Sequence, residues 1–272
     1  MEGRTVVLSG ASSGIGAAAA LELHRRGATV VPVGRDPARV AKVAEQVGSE
    51  GLVADFASLA AVRRLAGELL ERHQRIDVLA NNAGLVAGRR QLTEDGFETT
   101  FAVNHLAPFL LTNLLLDRLR ESAPARVVTT SSDAHRGGLI DLDDLNGERR
   151  WRSGRAYSTS KLANVLFTRE LARRLDGTGV VANCFHPGVI RTRLTRAANP
   201  LVNIGARLAG PFFGSPKTGA ETLVHLALSD ETAEMSGGYF VSSKPRAPSA
   251  QAQDDGLAAA LWERSEELTG LR

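Results

Sequence analysis

Long apolar runs are missing from this 272-residue chain, and the longest falls far short of the ~20 residues a membrane-crossing helix needs. Cysteine is nearly absent. Cys184 is alone, which excludes an internal disulfide, and its neighbours Val180, Val181, Ala182 and Phe185 mark it as a buried core thiol suited to a reducing compartment. The six histidines are scattered without metal-ligand spacing, so no metal is expected. Charge of one sign is lacking as well: 33 basic against 30 acidic residues leave +3. Apart from Arg149-Arg150-Trp151-Arg152, which reads as a surface loop, the arginines are dispersed and lack the interleaved aromatics of a nucleic-acid binder. No signal or transit pattern precedes the first strand, so the expectation is a cytoplasmic protein without a membrane anchor. What remains is ordinary globular composition, 43% hydrophobic and 23% charged, enough for one large α/β domain.

Strands and helices alternate along the chain. Residues 4–9 read as a buried strand, followed by Gly10-Ala11-Ser12-Ser13-Gly14-Ile15-Gly16 and an alanine-rich helix that Gly27 stops. Strand, glycine-rich turn and helix together let backbone amides meet a pyrophosphate, although the spacing is Gly-x-x-x-Gly-x-Gly. A second strand, 28–33, ends at Gly34-Arg35-Asp36-Pro37. Asp36 could serve NAD(H) by accepting a ribose hydroxyl, but Asp-Pro is also what a helix N-cap and first position look like. Gly34 leaves room and Arg35 offers a charge-assisted partner for a 2′-phosphate, which favours NADP(H).

A third strand at 51–55 ends at Asp55, with Phe56 beside it. Asp55 either faces an adenine ring or caps the helix that follows. A fourth strand, 76–80, runs into Asn81-Asn82-Ala83-Gly84, whose small residues let the backbone approach a flat ligand. Residues 94–119 read as one long helix in which Pro108 imposes a kink; Asn104, one turn earlier, either helps hold water there or sits exposed on the helix face. A fifth strand, 126–130, carries Ser131 and Ser132 at its carboxyl end, and alternation makes Ser132 the better candidate for facing a site. A sixth, 180–185, leads to His186-Pro187-Gly188-Val189-Ile190-Arg191-Thr192, a turn whose amides could hold a carboxamide.

Tyr157 and Lys161 are four residues apart at the start of an amphipathic run, so a helix sets them on one face. An ammonium beside a phenol favours the phenolate, and the pair can then act as acid or base near neutrality. Residues 193–216 mix Leu, Ile and Phe with Gly, Pro and Arg, which suits a lid over an apolar substrate or a contact with a partner or membrane surface. Residues 218–228 and 257–268 read as helices, 238–241 as the last strand, and 244–253 as loose chain.

The whole chain resembles the short-chain dehydrogenase/reductase family. Ser9-Gly10-x-x-x-Gly14-Ile15-Gly16, Asn81-Asn82-Ala83-Gly84, Asn104, Ser132, Tyr157-x-x-x-Lys161 and Pro187-Gly188 match its motifs in order, with Ser9 where a Thr is more usual. Residues 156–175, His186-Pro187-Gly188-Val189 and Ser236-Gly237-Gly238-Tyr239-Phe240 resemble its retinol dehydrogenase-like branch. The resemblance implies a single Rossmann domain with a doubly wound, seven-stranded parallel sheet. It implies an NADP(H)-dependent oxidoreductase acting on a carbonyl or alcohol of a small apolar substrate. Tyr157 would be its proton donor, Lys161 the ammonium that tunes the phenol and holds the nicotinamide ribose, Ser132 the hydrogen bond to the substrate oxygen, and Asn104 the holder of a relay water. Gly10, Ser12, Ser13, Gly14, Ile15, Gly16, Arg35, Asp55, Phe56, Asn82, Ala83, Gly84, Pro187, Gly188, Val189 and Thr192 would line the cofactor. The helices bearing Asn104 and Tyr157 would build a homodimer or homotetramer. The competing reading is a cofactor-sensing protein that keeps the fold without the chemistry.

Overall fold

Alternation along the first strand, β1 (Thr5–Ser9), decides how the molecule is layered. Val6 and Leu8 point to one face and Val7 to the other, and all three are fully buried, because successive residues of a strand face opposite sides. Burial on both faces is the mark of a sheet covered by helices on each side. The computed structural model describes residues 3–188 and 215–272. The further strands are β2 (Thr29–Gly34), β3 (Leu52–Val53), β4 (Val78–Asn81), β5 (Ala125–Thr130), β6 (Val180–His186), β7 (Tyr239–Val241) and β8 (Lys244–Arg246). They form one sheet in the order β3-β2-β1-β4-β5-β6-β7-β8. The helices are α1 (Gly14–Arg25), α2 (Pro37–Gln46), α3 (Leu59–Arg72), α4 (Thr99–Phe101), α5 (Ala107–Leu114), α6 (Leu116–Glu121), α7 (Ser153–Arg174), α8 (Pro216–Leu228) and α9 (Asp255–Thr269).

Leu23 of α1, Val43 of α2 and Leu223 of α8 join Val6 and Leu8 in one core; Leu65 of α3, Phe109 of α5, Leu166 of α7 and Trp262 of α9 join Val7, Leu79 and Val127 in the other. Each fully buried Val or Leu stabilises the fold by about 1.5–3 kcal/mol before chain entropy is set against it. The order reverses between β1 and β4, and a crevice outside their carboxyl ends is where ligands of such sheets bind.

The doubly wound parallel sheet is the expected one, but it has an eighth strand where residues 244–253 read as loose. Ser242 and Ser243 both adopt positive φ, 50° and 60°, turning the chain back so that β8 pairs antiparallel with β7. Two central residues at positive φ define a tight hairpin turn usually signalled by Asn-Gly, so a Ser-Ser pair gives no warning. Pro245 is tolerated because β8 is the edge strand.

The stretch 94–119 also differs from one long helix. Residues 93–97 form a turn, Glu98 caps α4 by accepting from the Phe101 amide at 2.8 Å, and a π turn (Ala102–Leu106) separates α4 from α5. Residues 160–168 of α7 are all buried and α9 packs against them, while residues 153–159 of the same helix are partly or fully exposed. Among the described residues no helix is long and apolar enough to cross a membrane.

Candidate active site

Helix α7 begins at Ser153, whose hydroxyl donates to the Ala87 carbonyl, so Tyr157 sits in the second turn of a regular 22-residue helix. Regularity places Lys161 on the same face, its Nζ 5.6 Å from the centre of the Tyr157 ring. The ammonium is buried and donates to the Thr130 carbonyl at 3.0 Å, at the carboxyl end of β5. Burial lowers its pKa to about 8. Burial disfavours the charged form of the phenol as well, which moves its pKa the other way: Tyr157 is pushed above the usual phenol range, with the Ser132 hydroxyl beside it pulling it down. Desolvation of the phenolate is the larger of the two influences on Tyr157, and the Lys161 ammonium beside the ring is aimed at a backbone carbonyl.

Alternation at the end of β5 separates the two serines as expected. Ser131 is buried, and its hydroxyl donates to the Lys161 carbonyl at 2.8 Å, holding α7 against the sheet. Ser132 faces the cleft. Its Oγ accepts from the Ala134 amide at 3.2 Å, which leaves the hydroxyl proton free to donate elsewhere.

Asn104 is neither exposed nor loosely placed. It is 1% exposed, its Oδ1 accepts from the Leu85 amide at 2.8 Å, and its Nδ2 donates to the Leu85 carbonyl at 3.0 Å and to Ser160 Oγ at 2.9 Å. The side chain is a clamp joining the π turn, the chain after β4 and α7. The backbone supplies the opening instead. The Ala107 amide bonds Ala102 instead of Val103, and Pro108 has no amide to give Asn104, so both carbonyls lose their regular helical donors. A Cβ on Gly84 would lie 3.2 Å from Asn104 Oδ1 and 3.6 Å from Lys161 Nζ, so the backbone there passes directly beside the pair. Ser160 is a site residue that the sequence reading missed. Its position just before Lys161 on the helix was the available signal.

The glycine-rich turn is held by β4. Ser9 Oγ accepts from the amides of Asn82 at 2.9 Å and Ala83 at 3.1 Å, so its hydroxyl ties the end of β1 to the chain after β4. Asn82 is a brace: its Nδ2 donates to the Ser9 carbonyl at 3.0 Å and its Oδ1 accepts from Thr130 at 3.3 Å. Gly10 and Gly16 are required for packing. A Cβ on Gly16 would lie 2.2 Å from the Gly10 carbonyl oxygen, and one on Gly10 would lie 2.8 Å from Ala83 Cα. Ser13 precedes α1 in an extended conformation without a side-chain cap, and the first turn, with Gly14 and Ile15, carries no acidic residue.

At the tip of β2, a Cβ on Gly34 would lie 3.0 Å from Ser12 Oγ, so only glycine leaves the two turns this close. Asp36 is the N-cap of α2, accepting from the Arg39 amide at 3.2 Å, and its other oxygen pairs with Arg39 at 3.1 Å. Arg35 is exposed and 3.9 Å from Asp55. Asp55 accepts from the Ala57 amide at 3.0 Å, while the helix behind it is capped by Ser58, so of the two readings of Asp55 the cap is excluded. Phe56 is 5% exposed and belongs to the core, so only its backbone is available to a ligand. Pro187 and Gly188, the latter at φ 87°, follow β6 at the same edge of the sheet. Val189, Thr192 and residues 193–214 of the expected lid lie outside the described residues.

These residues fit a nicotinamide dinucleotide. Glycine-containing turns, an uncapped helix start and an exposed arginine occupy one end of the crevice, and the Ser132, Tyr157 and Lys161 group the other. The short chain dehydrogenase family model matches residues 4–202. Human retinol dehydrogenase 13 is 44% identical over 282 residues, covering 99% of this chain and 85% of its own length. A Streptomyces sp. (strain C5) protein, provisionally named daunorubicin C-13 ketoreductase DnrU, is 46% identical over 99% of this chain and 94% of its own length. The Pseudomonas aeruginosa RhlG/NADP active-site complex superposes with a TM-score of 0.71 at 31% identity, covering 88% of this chain and 94% of that one. The chain therefore belongs to the short-chain dehydrogenase/reductase family, in its retinol dehydrogenase-like branch, a family of nicotinamide-dependent oxidoreductases.

Proposed function

We propose that this protein is an NADP(H)-dependent oxidoreductase that interconverts a carbonyl and an alcohol on an apolar substrate, with Tyr157 as the proton donor and acceptor. The observation that carries the reading is the convergence of Tyr157, Ser132 and Lys161 at the carboxyl end of β5, where burial keeps the phenol protonated. A bound nicotinamide supplies or accepts the hydride. In the reductive direction Tyr157 gives its proton to the carbonyl oxygen as charge develops there, and Ser132 donates its free hydroxyl proton to the same oxygen. With a pKa lowered to about 8, Lys161 remains largely protonated at neutral pH and stabilises the phenolate that Tyr157 becomes. The Asn104 carbonyl, released from its helical partner, offers an acceptor for a relay water that returns a proton through Lys161.

The NADP(H) preference rests on the strand tip. Asp36 is committed to α2 and Arg39, which removes the acceptor a ribose hydroxyl needs, while Arg35 is exposed and only distantly paired with Asp55, which leaves its guanidinium accessible to a 2′-phosphate. The relatives' names support an apolar substrate: one refers to retinol and another to the C-13 ketone of daunorubicin. The test is a panel of retinal, aliphatic aldehydes and steroid ketones assayed with NADPH and NADH. Turnover with NADPH, lost on the order of 100-fold or more in Tyr157→Phe, is expected from the size of acid–base effects. Undiminished turnover in that variant, or NADPH binding without any consumption across the panel, would contradict the reading.

A further inference from the structure

Behind Lys161, away from the cleft, runs a buried polar chain that the reaction above does not use. The Thr130 carbonyl has two lone pairs. Lys161 Nζ takes one at 3.0 Å and the Asn164 amide nitrogen takes the other at 3.2 Å. With its nitrogen so committed, Asn164 turns Oδ1 to His105 Nδ1 at 3.4 Å, and His105 Nε2 lies 3.0 Å from the Ser265 hydroxyl of α9. Asn164 and His105 are each 1% exposed and Ser265 is fully buried. The surroundings are apolar: the His105 ring lies 5.0 Å from Phe101 and 6.1 Å from Phe109. Polar groups in such a place cost free energy unless their hydrogen bonds are made, and a leucine would fill the same space without that cost. The Lys161 ammonium has the Thr130 carbonyl as its hydrogen-bond partner and no carboxylate beside it among the described residues. Where that carbonyl is held decides where the ammonium sits.

We propose that Asn164 is a positioning residue for Lys161, fixing the Thr130 carbonyl from its second side and braced through His105 by Ser265 of α9. The functional meaning rests on the reading of Lys161 as the ammonium that serves Tyr157. The neutral amide does this without competing with the ammonium as a charge, and the brace makes the placement of Lys161 depend on the docking of α9.

The full chain, with nitrogen-15 in its lysine side chains, provides a readout at Lys161 itself. Lys42, Lys161, Lys217 and Lys244 are its four lysines, and Lys161→Arg identifies the signal. Exchange of the Lys161 ammonium protons with water is measured with NADPH present in the wild type and in Asn164→Leu, His105→Leu and His105→Asn. Exchange is expected to quicken about fivefold in Asn164→Leu, what one net hydrogen bond is worth, and about twofold in His105→Leu. It should return to the wild-type rate in His105→Asn, whose amide keeps a donor toward Asn164. Unchanged exchange in a folded Asn164→Leu protein overturns the proposal. If that variant does not fold, the His105 pair decides: a rise in the Leu form that the Asn form reverses supports it, and equal rates in both overturn it. Turnover of retinal by Lys161→Met separates the two readings. Full activity there would sink the catalytic role of Lys161 and leave the exchange result to judge the placement alone.

Discussion

Two helical segments carry the polar residues of the site, and they do so by opposite means. α7 is regular through 22 residues, and regularity alone brings Tyr157 and Lys161 onto one face. The segment from Thr99 to Leu114 is interrupted by a π turn, and the interruption is its contribution: it turns Asn104 into a clamp and deprives two carbonyls of their regular helical donors. A repeat holds the acid–base pair, and a defect holds what stands behind it. The difference teaches that α7 should tolerate few changes in chemistry, while α4 and α5 should tolerate few changes in backbone geometry.

The largest expected effect is on the regular helix. Lys161→Met should lower turnover on the order of 100-fold or more, the size of losing one preorganised charge, with melting temperature nearly unchanged. Steady-state assay beside thermal melting checks both. A drop in melting temperature matching the loss of rate would erase the distinction between the two segments.

Asn104→Leu should act the other way round. It strands the half-buried Leu85 amide and carbonyl, at about 1 kcal/mol each, so stability should fall by about 2 kcal/mol and the melting temperature by roughly 4–8 °C. A fully stable variant would show that the clamp is dispensable.

His105, next to Asn104 in the π turn, sharpens the comparison through pH. Burial lowers its pKa to about 4 from an ordinary value near 6.5. Between those values the unfolded chain binds the proton and the folded chain does not, so stability falls as pH drops from about 6.5 to about 4, by up to about 3 kcal/mol. In His105→Asn that limb should be shallower than in the wild type, measured by denaturant unfolding at several pH values. Identical pH slopes would mean that the imidazole is not held neutral by its surroundings.

The smallest effect lies off both helices. Arg35→Ala should weaken NADPH binding about tenfold, one charge-assisted contact, and leave NADH nearly unchanged. Equal losses for both cofactors would contradict the reading of the β2 tip.

What could be read from the sequence follows the same division. The parallel sheet, the glycine-rich turn, the Asp36 cap and the Tyr157–Lys161 face all come from local periodicity or from residues whose backbone needs are unmistakable. The π turn left no trace, because an apolar run with one Pro reads the same with or without an extra residue in a turn. The hairpin at Ser242-Ser243 was hidden because serine is a poor advertisement for positive φ. The roles of Ser160, Asn164 and His105 depend on partners 34 to 160 residues away in the chain, and no local pattern encodes such contacts.

The most direct test of the account is the Tyr157→Phe protein, assayed for NADPH binding by fluorescence and for reduction of a carbonyl substrate under single-turnover conditions. Packing of the ring is kept and only the hydroxyl is removed, so binding should stay within about threefold while the reduction rate falls by roughly 100-fold to 10,000-fold. Wild-type reduction by that variant would contradict the account, because the proton would then come from a group other than Tyr157.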